Sequence, residues 1–151
     1  MNKVGMVVLL LLMTGVAKAE PTLAKSALAE PAFTGQDYSG VYDCTGNDAH
    51  EGKYTGKVTL KLKPEHSHGP YASYDFKLEV PGYGTYLGHA AANDDKLAMH
   101  FALTNPSTKD FGTGIAAMKK NKQGKLSFHK FYYEPEYKGG NTGTEDCVKS
   151  N

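Results

Sequence analysis

Two cysteines, Cys44 and Cys147, enclose most of the strand-like part of this chain of 151 residues. Each lies in a segment with strand character, the first over Tyr38–Cys44 and the second over Thr142–Val148. A disulfide between them requires these segments to lie side by side, because the Cα atoms of a bridge are about 6 Å apart. In an open row of sequential strands the two segments would lie at opposite edges. The cysteine pair therefore predicts a sheet that closes on itself.

Residues 1–19 have the three parts of a secretory signal peptide. Lys3 provides the positive charge, Val7–Met13 is the apolar core, and Ala17–Ala19 is a small-x-small cleavage site. The apolar stretch is shorter than the roughly 20 residues that a membrane-spanning helix needs. We therefore expect cleavage after this segment, no membrane span in the remaining chain, and a periplasmic or secreted bacterial protein in a compartment where disulfides form.

The remaining chain has the length of one domain. Residues 20–36 are rich in Ala, Pro, Thr and Ser and are predicted to form a flexible leader, followed by a single β-barrel domain over residues 37–151. The whole chain has a formal net charge of +1, lacks arginine, and has two of its lysines, Lys3 and Lys18, in the predicted signal peptide. A near-neutral chain without guanidinium groups disfavours nucleic-acid binding.

From Tyr38 onward, apolar and polar residues alternate in runs separated by turn residues, and no segment has a helical period. The clearest runs are Thr55–Lys63, Ala72–Val80 and Lys96–Thr104. Weaker runs are Gly84–Ala91, Phe111–Lys119 and Lys125–Tyr133. With the two cysteine segments the number of predicted strands is eight, and the short connections between them predict antiparallel neighbours.

Eight such strands, each with one apolar face, predict an all-β fold: an eight-stranded antiparallel up-and-down meander barrel. The first and last strands would be joined by a Cys44–Cys147 disulfide, and chain entropy gives a bridge across so long a loop roughly 4–5 kcal/mol of stabilisation. A β-sandwich is the alternative architecture, and two unpaired thiols are the alternative state of the cysteines.

The start of the first strand carries Ser39-Gly40-Val41-Tyr42. Lipocalins and avidins open their first strand with a Gly-x-Trp signature, and with Tyr in place of the Trp the chain resembles the calycin superfamily over Tyr38–Val148. The resemblance implies a calycin-like barrel that binds a small apolar or amphipathic ligand. The same residues are similar, with one residue fewer, to the Ser-Gly-x-x-Tyr loop of periplasmic inhibitors of C-type lysozyme. A protein-binding module, such as an inhibitor of lysozyme or another exported hydrolase, is therefore the alternative function.

Side chains on the predicted inner faces are expected to line the barrel and to contact such a ligand. The apolar candidates are Val58, Leu60, Tyr74, Phe76, Leu87, Met99 and Phe101. His89 shares a strand face with Leu87, and His129 shares one with Phe131, so both histidines are predicted as hydrogen-bonding groups in the same lining. A structural or surface role is the alternative for both.

The segment Phe128–Tyr137 is dense in aromatic and charged residues. Tyrosine combines a large apolar ring with one polar tip and is enriched at protein interfaces. Tyr132, Tyr133 and Tyr137 are therefore predicted to form an interface patch for an exported protein partner. Packing of these rings inside the sheet is the alternative.

The cluster Glu65-His66-Ser67-His68 has the character of a metal site. Its carboxylate and two imidazoles are ligands for Zn²⁺ or Cu²⁺, and a solvated polar turn is the favoured alternative. Asp48 and Glu51 lie in the loop before, which a meander places at the opposite rim. No catalytic set is recognisable, and a disulfide would occupy both thiols, so we predict a non-enzymatic protein without a required cofactor.

Overall fold

The structure is a computed structural model that describes residues 31–151. The predicted signal peptide and residues 20–30 of the predicted leader lie outside these residues. The strands are β1 Gly40–Asp48, β2 Gly52–Leu62, β3 Tyr71–Val80, β4 Gly84–Asn93, β5 Lys96–Leu103, β6 Phe111–Lys120, β7 Leu126–Glu134 and β8 Asn141–Lys149. Single 3₁₀ turns occupy Pro64–His66, Pro106–Thr108 and Tyr137–Gly139.

Each strand pairs antiparallel with the next, and β1 also pairs with β8, which closes the barrel. Cys44 and Cys147 are directly opposite each other in the β1–β8 ladder and form a disulfide, with Cα atoms 4.1 Å apart. The prediction of an all-β, eight-stranded up-and-down barrel with its first and last strands joined by this bridge is confirmed. The closed strand order excludes the sandwich.

The strands next to the closure extend beyond the predicted segments. β1 continues past Cys44 to Asp48, and every second residue from Tyr42 to Asp48 is buried. Its last inward positions are Gly46 and Asp48, which give no hydrophobic alternation in the sequence. These positions are buried because neighbouring strands cover them, so the pairing of the sheet, rather than local hydrophobicity, determines where β1 ends.

Two ends of the barrel are distinguished by their connections. The Glu51 end contains the connections after β1, β3, β5 and β7, which are residues 49–51, 81–83, 104–110 and 135–140. The Lys63 end contains those after β2, β4 and β6, which are residues 63–70, 94–95 and 121–125. The predicted placement of the Glu65–His68 cluster and of Glu51 at opposite rims follows from this topology.

One apolar cluster fills much of the barrel. Tyr42 and Phe128, both essentially inaccessible to solvent, pack with ring centroids 5.3 Å apart. Tyr38, in the segment before β1, is also buried; its hydroxyl donates to the Asp94 carbonyl, and its backbone N–H donates to the Tyr74 hydroxyl. Tyr38 thereby ties this segment to the turn between β4 and β5 and covers the core at the Lys63 end.

The described part of the predicted leader makes contacts at the same end. Ala32 and Phe33 form isolated bridges with His68 and Gly69, and the Thr34 N–H donates to the Gly69 carbonyl. Phe33 packs against the apolar cluster. Within residues 31–151, no helix has the length and apolar character of a membrane span.

Replacing both cysteines, as Cys44→Ala with Cys147→Ala, should lower the free energy of unfolding by about 4 kcal/mol, because the unfolded chain gains the entropy of a long open loop. The β1–β8 ladder remains, so circular dichroism should still show a folded β-protein. Urea unfolding measures the change, and reduced wild-type protein, which keeps both side chains in place, is the control. If the double variant and the reduced wild-type protein both have the unfolding free energy of the oxidised wild type, the bridge does not stabilise the fold.

Candidate binding site

The inner face of the barrel becomes polar towards the Glu51 end. Lys130 of β7 lies directly opposite Glu145 of β8, and Glu134 lies directly opposite Asn141. All four are at most 4% exposed. Because the side chains of paired residues point to the same side of a sheet, these two pairs line the interior.

Lys130 and Glu145 form a buried ion pair with Nζ and Oε2 2.6 Å apart. The other oxygen of Glu145 accepts a hydrogen bond of 2.9 Å from the Tyr54 hydroxyl. The ammonium lies 5.3–5.5 Å from the ring centroids of Phe76, Phe101 and Tyr132. The pair is thus neutral as a unit, and its cation is surrounded by aromatic rings, which stabilise a desolvated ammonium.

Asp48, at the end of β1, is a fully hydrogen-bonded carboxylate. Its Oδ1 accepts from the backbone N–H groups of His50 and Glu51, at 2.8 and 2.9 Å. Its Oδ2 accepts from the Tyr132 hydroxyl and the Asn141 amide, at 2.8 and 2.7 Å. Burial alone would raise the pKa of Asp48, but these hydrogen bonds outweigh it and lower the pKa, so the group stays ionised.

At Asp110, directly before β6, tyrosine hydroxyls bind only one of the two carboxylate oxygens. The residue is 3% exposed, and its Oδ2 accepts from the hydroxyls of Tyr83 and Tyr86, at 2.9 and 2.8 Å. Its Oδ1 is buried and accepts no hydrogen bond from the tyrosines; the group beside it that can donate to Asp110 is the carboxyl of Glu134, while that carboxyl keeps its proton. The two tyrosines fix the orientation of the carboxylate and leave one oxygen available to an additional donor.

The surroundings of Glu134 raise the pKa of its carboxyl group into the neutral range. Burial raises its pKa to about 7, the charges of Asp110 and Asp48 act in the same direction, and the hydrogen bond from Asn141 opposes them. Gly112 provides space for this side chain, since a Cβ there would lie 2.8 Å from Cγ of Glu134. The carboxyl group therefore changes charge near neutral pH.

The connections of the Glu51 end are joined by hydrogen bonds around the site. Glu51 accepts from the Tyr137 hydroxyl at 2.7 Å and from the Lys138 ammonium. The hydroxyls of Tyr137 and Tyr83 are 2.8 Å apart. The connections after β1, β3 and β7 are held together in this way, which limits how far the rim can open.

These groups surround a cavity of about 60 Å³. At about 10–15 Å³ per water in the same measure of volume, it has space for roughly four to six waters or for a small organic group. Besides the acidic residues, tyrosines and Lys130 described above, apolar side chains line it, namely Leu78, Val80 and Phe101. The cavity therefore combines an apolar wall with several carboxylates.

The charges around the cavity do not balance. Lys130 pairs with Glu145, and Lys138 pairs with Glu51. Within residues 31–151, no cationic side chain forms an ion pair with Asp48, Asp110 or Glu134. An excess of negative charge in a partly enclosed space attracts cations and repels anions.

Most predicted lining residues lie inside the barrel, but few of them border the cavity. Those that are buried are Val58, Leu60, Tyr74, Phe76, Met99 and Phe101. Of these, Phe101 borders the cavity and Phe76 contacts the Lys130 ammonium, whereas the others belong to the packed apolar cluster.

The structure corrects the predicted positions of Leu87, His89 and His129, which lie on the outer face. Leu87 is 52% exposed, His89 is exposed beside Asp75, and His129 pairs with Asp146 at 2.9 Å. The outer faces carry Leu87 and Phe131, while the inner faces include the small Gly88 and Ala90 of β4 and the charged Lys130 and Glu134 of β7, so hydrophobicity alone does not identify the inner face.

The three tyrosines of the predicted interface patch point to opposite sides of the barrel wall. Tyr132 and Tyr137 are buried at the cavity, which corrects their predicted surface position, whereas Tyr133 is 46% exposed on the outer face of β7. Tyr133 lies there with Phe131 and Ile115, which are also exposed. The alternation of a strand separates Tyr132 from Tyr133.

The ligand atoms of Glu65, His66 and His68 do not all lie within 4.8 Å of one another, so the predicted metal site is not gathered around one point. Glu65 and His66 are exposed with their nearest nitrogen and oxygen 3.8 Å apart, and His68 packs its ring against Tyr71. In residues 31–151, ligand atoms of three suitable side chains come within 4.8 Å of one another at one place, Cys44, Glu145 and Cys147. The two sulfurs there are already joined in the disulfide.

The residues that sequence reasoning missed are the charged groups of the inner face. Lys130 and Glu134 alternate with Phe128 and Tyr132, so all four share one face of β7. The sequence shows this alternation. The face with Phe131 and Tyr133 is nevertheless predicted to be the inner one, because a lysine and a glutamate are rarely buried.

Comparisons of the chain with protein-family models, curated proteins and solved structures find no match. The resemblance to calycins stays a prediction drawn from the sequence. What the cavity can bind therefore follows from the chemistry of its own groups.

The Glu134 carboxyl should make stability depend on pH. In the folded protein it keeps its proton up to about pH 7, whereas in the unfolded chain it ionises near pH 4.5, so its contribution to stability falls as the pH rises between these values. Glu134→Gln should therefore increase the free energy of unfolding at pH 8 by about 1–3 kcal/mol and change it little at pH 4.

Urea unfolding at both pH values measures this difference. Glu79→Gln, which removes an exposed carboxylate paired with Lys77, is the matched control and should show no such difference. An effect of Glu134→Gln that is the same at pH 4 and pH 8 would be incompatible with the raised pKa.

Proposed function

We propose that the protein is an exported, non-enzymatic binding protein that holds a small amphipathic molecule at the Glu51 end of its barrel. The observation that carries this proposal is the cavity of about 60 Å³ with carboxylates and tyrosines on one side and Leu78, Val80 and Phe101 on the other. An apolar wall with a few convergent polar groups is typical of small-molecule sites. Elsewhere the interior is filled by side chains such as Tyr42 and Phe128, so the ligand is confined to this end.

The volume of the cavity limits the size of the ligand. Sites for drug-sized molecules have volumes of about 300–1,000 Å³, several times the volume at the Glu51 end. A bound molecule therefore consists of a few non-hydrogen atoms, or inserts one small group while the rest extends past Tyr83 and Tyr137 at the rim.

Two observations support export. A disulfide such as Cys44–Cys147 persists in oxidising compartments and is rare in the cytosol. Residues 1–19 carry the charge, the apolar core and the cleavage site of a signal peptide. Both favour a bacterial periplasmic or secreted protein.

Binding is favoured over catalysis by the kinds of groups at the cavity. A carboxyl with a pKa of about 7, such as Glu134, is suited to proton transfer. However, the lining among the described residues contains no serine, cysteine or histidine. Asp48 has four hydrogen-bond donors, and Lys130 is held by Glu145, so neither is free to attack a substrate.

A second candidate function is binding of an exported protein such as a hydrolase. Exposed Ile115, Phe131 and Tyr133 lie close together on β6 and β7 and favour it, because contiguous exposed apolar residues mark interaction surfaces. Inhibition assays against lysozymes of several types test it. The double variant Phe131→Ser with Tyr133→Ser should abolish any inhibition, and an absence of inhibition by wild-type protein at micromolar concentration would remove the lysozyme version.

The substitution Val80→Phe should abolish small-molecule binding, because the added ring atoms occupy the cavity that Val80 borders. The matched control is Val148→Phe, which enlarges an exposed valine on the outer face. Native mass spectrometry of gently purified protein and a thermal-shift screen of neutral, cationic and anionic small molecules measure binding. Wild-type protein that binds no member of such a screen, or Val80→Phe protein that binds as wild type does, would refute the proposed function.

A further inference from the structure

We infer that the ligand of the cavity is an organic cation, a small alkylammonium whose charged group is bound by Asp110 and Glu134. This assignment rests on the proposed binding function and names the chemical class of its ligand.

The unpartnered oxygen of Asp110 is the first observation that points to a cation. A buried polar atom without a hydrogen bond is costly, and a buried charge without a partner is more so. Oδ1 of Asp110 is such an atom once the neighbouring Glu134 carboxyl has lost its proton, and both residues border the cavity. Tyr83 and Tyr86 bind the other oxygen, so the carboxylate is already oriented. An N–H group of a bound ammonium would complete its hydrogen bonding.

The aromatic lining is the second observation. Phe101 packs edge-to-face against Tyr86 and Tyr132, both with centroids 5.9 Å away, and Tyr83 stacks on Tyr86 at 6.3 Å. Rings grouped around a space attract a desolvated cation through their negatively charged faces. The same barrel holds the Lys130 ammonium between aromatic rings and a carboxylate. An alkylammonium would find the same combination at the cavity.

Lys130 does not prevent binding of a second cation. Its charge is compensated by Glu145, to which it lies 2.6 Å away. The three carboxylates without a cationic partner, Asp48, Asp110 and Glu134, therefore determine the sign of the local potential. An anionic ligand would have to displace Lys130 from Glu145, because it would find no other cation among the described lining residues.

A metal ion fits the same charges less well. A metal site requires several ligand atoms around one point, and those of Asp48, Asp110 and Glu134 do not come within 4.8 Å of one another. Asp48 already accepts four hydrogen bonds from protein groups. Aromatic rings and the side chains of Leu78 and Val80 suit an alkyl group and offer no ligand to a hard cation.

The protonation of Glu134 makes the affinity for a cation depend on pH. The groups that face it are Asp110 before β6, Asp48 on β1, Tyr86 on β4, Asn141 on β8 and Tyr132 on its own strand. With a pKa of about 7, Glu134 is mostly neutral at pH 6 and mostly ionised at pH 8. Affinity for an alkylammonium should therefore rise roughly tenfold between these values.

Calorimetric titration of the folded, oxidised protein with three probes of similar size tests the assignment. At pH 8, propylammonium should bind, 1-propanol should bind at least about tenfold more weakly, and propionate should not compete. Asp110→Asn should weaken propylammonium binding by roughly tenfold to a hundredfold, because it removes a charge-assisted hydrogen bond. Asp95→Asn, at an exposed carboxylate of the Lys63 end, is the matched control and should leave binding unchanged.

The outcomes separate this assignment from the proposed function. If 1-propanol binds as tightly as propylammonium, or if Ca²⁺ displaces propylammonium, the cavity is a binding site but the organic-cation assignment is overturned. If no probe binds and the wider screen against wild-type and Val80→Phe protein is also negative, the proposed function fails as well. If Asp110→Asn does not fold, Glu134→Gln replaces it, because this variant is expected to fold stably at pH 8. Glu134→Gln should remove the dependence of propylammonium affinity on pH.

Discussion

The pairing of β1 with β8 is the constraint on which the rest of the barrel depends. The register that places Cys44 opposite Cys147 also places Asp48 opposite Gly143. β8 in turn places Glu145 opposite Lys130. A shift of one residue would turn every inward side chain outwards, because successive residues of a strand point to opposite faces. The disulfide and the buried ion pair, two residues apart along β8, therefore hold the same register.

The two ends of the barrel use different interactions. Aromatic and aliphatic side chains fill the interior towards the Lys63 end, which Tyr38 covers. At the Glu51 end, inward positions carry charged side chains. Their burial is unfavourable unless each has an opposite charge or hydrogen-bond donors beside it. Most of these charges have partners, since Asp48 accepts four hydrogen bonds and Lys130 forms an ion pair with Glu145. Asp110 and Glu134, which have no cationic partner among the described residues, depart from that rule, and such departures occur at functional sites.

The sequence predicts the architecture better than the site. The cysteine pair and eight alternating runs sufficed for a closed meander, and the clean alternation around Leu60 and Tyr74 identified the inner faces of β2 and β3. On β4 and β7 the alternation does not identify the inner face, because Leu87 and Phe131, on the outer face, are as apolar as the inward residues. The cavity was not predictable, because Lys130 and Glu145 lie in separate strands and become partners only once the register is known.

The central claim is that carboxylates without a cationic partner make the Glu51 end a cation site. Its most direct test is an NMR titration that follows the carboxyl carbon of Glu134 with pH, in the presence and absence of saturating propylammonium. In the free protein this carbon should titrate with a pKa of about 7. With propylammonium bound, the pKa should fall, because a nearby positive charge stabilises the carboxylate. A pKa of Glu134 that is the same with and without propylammonium would contradict the account.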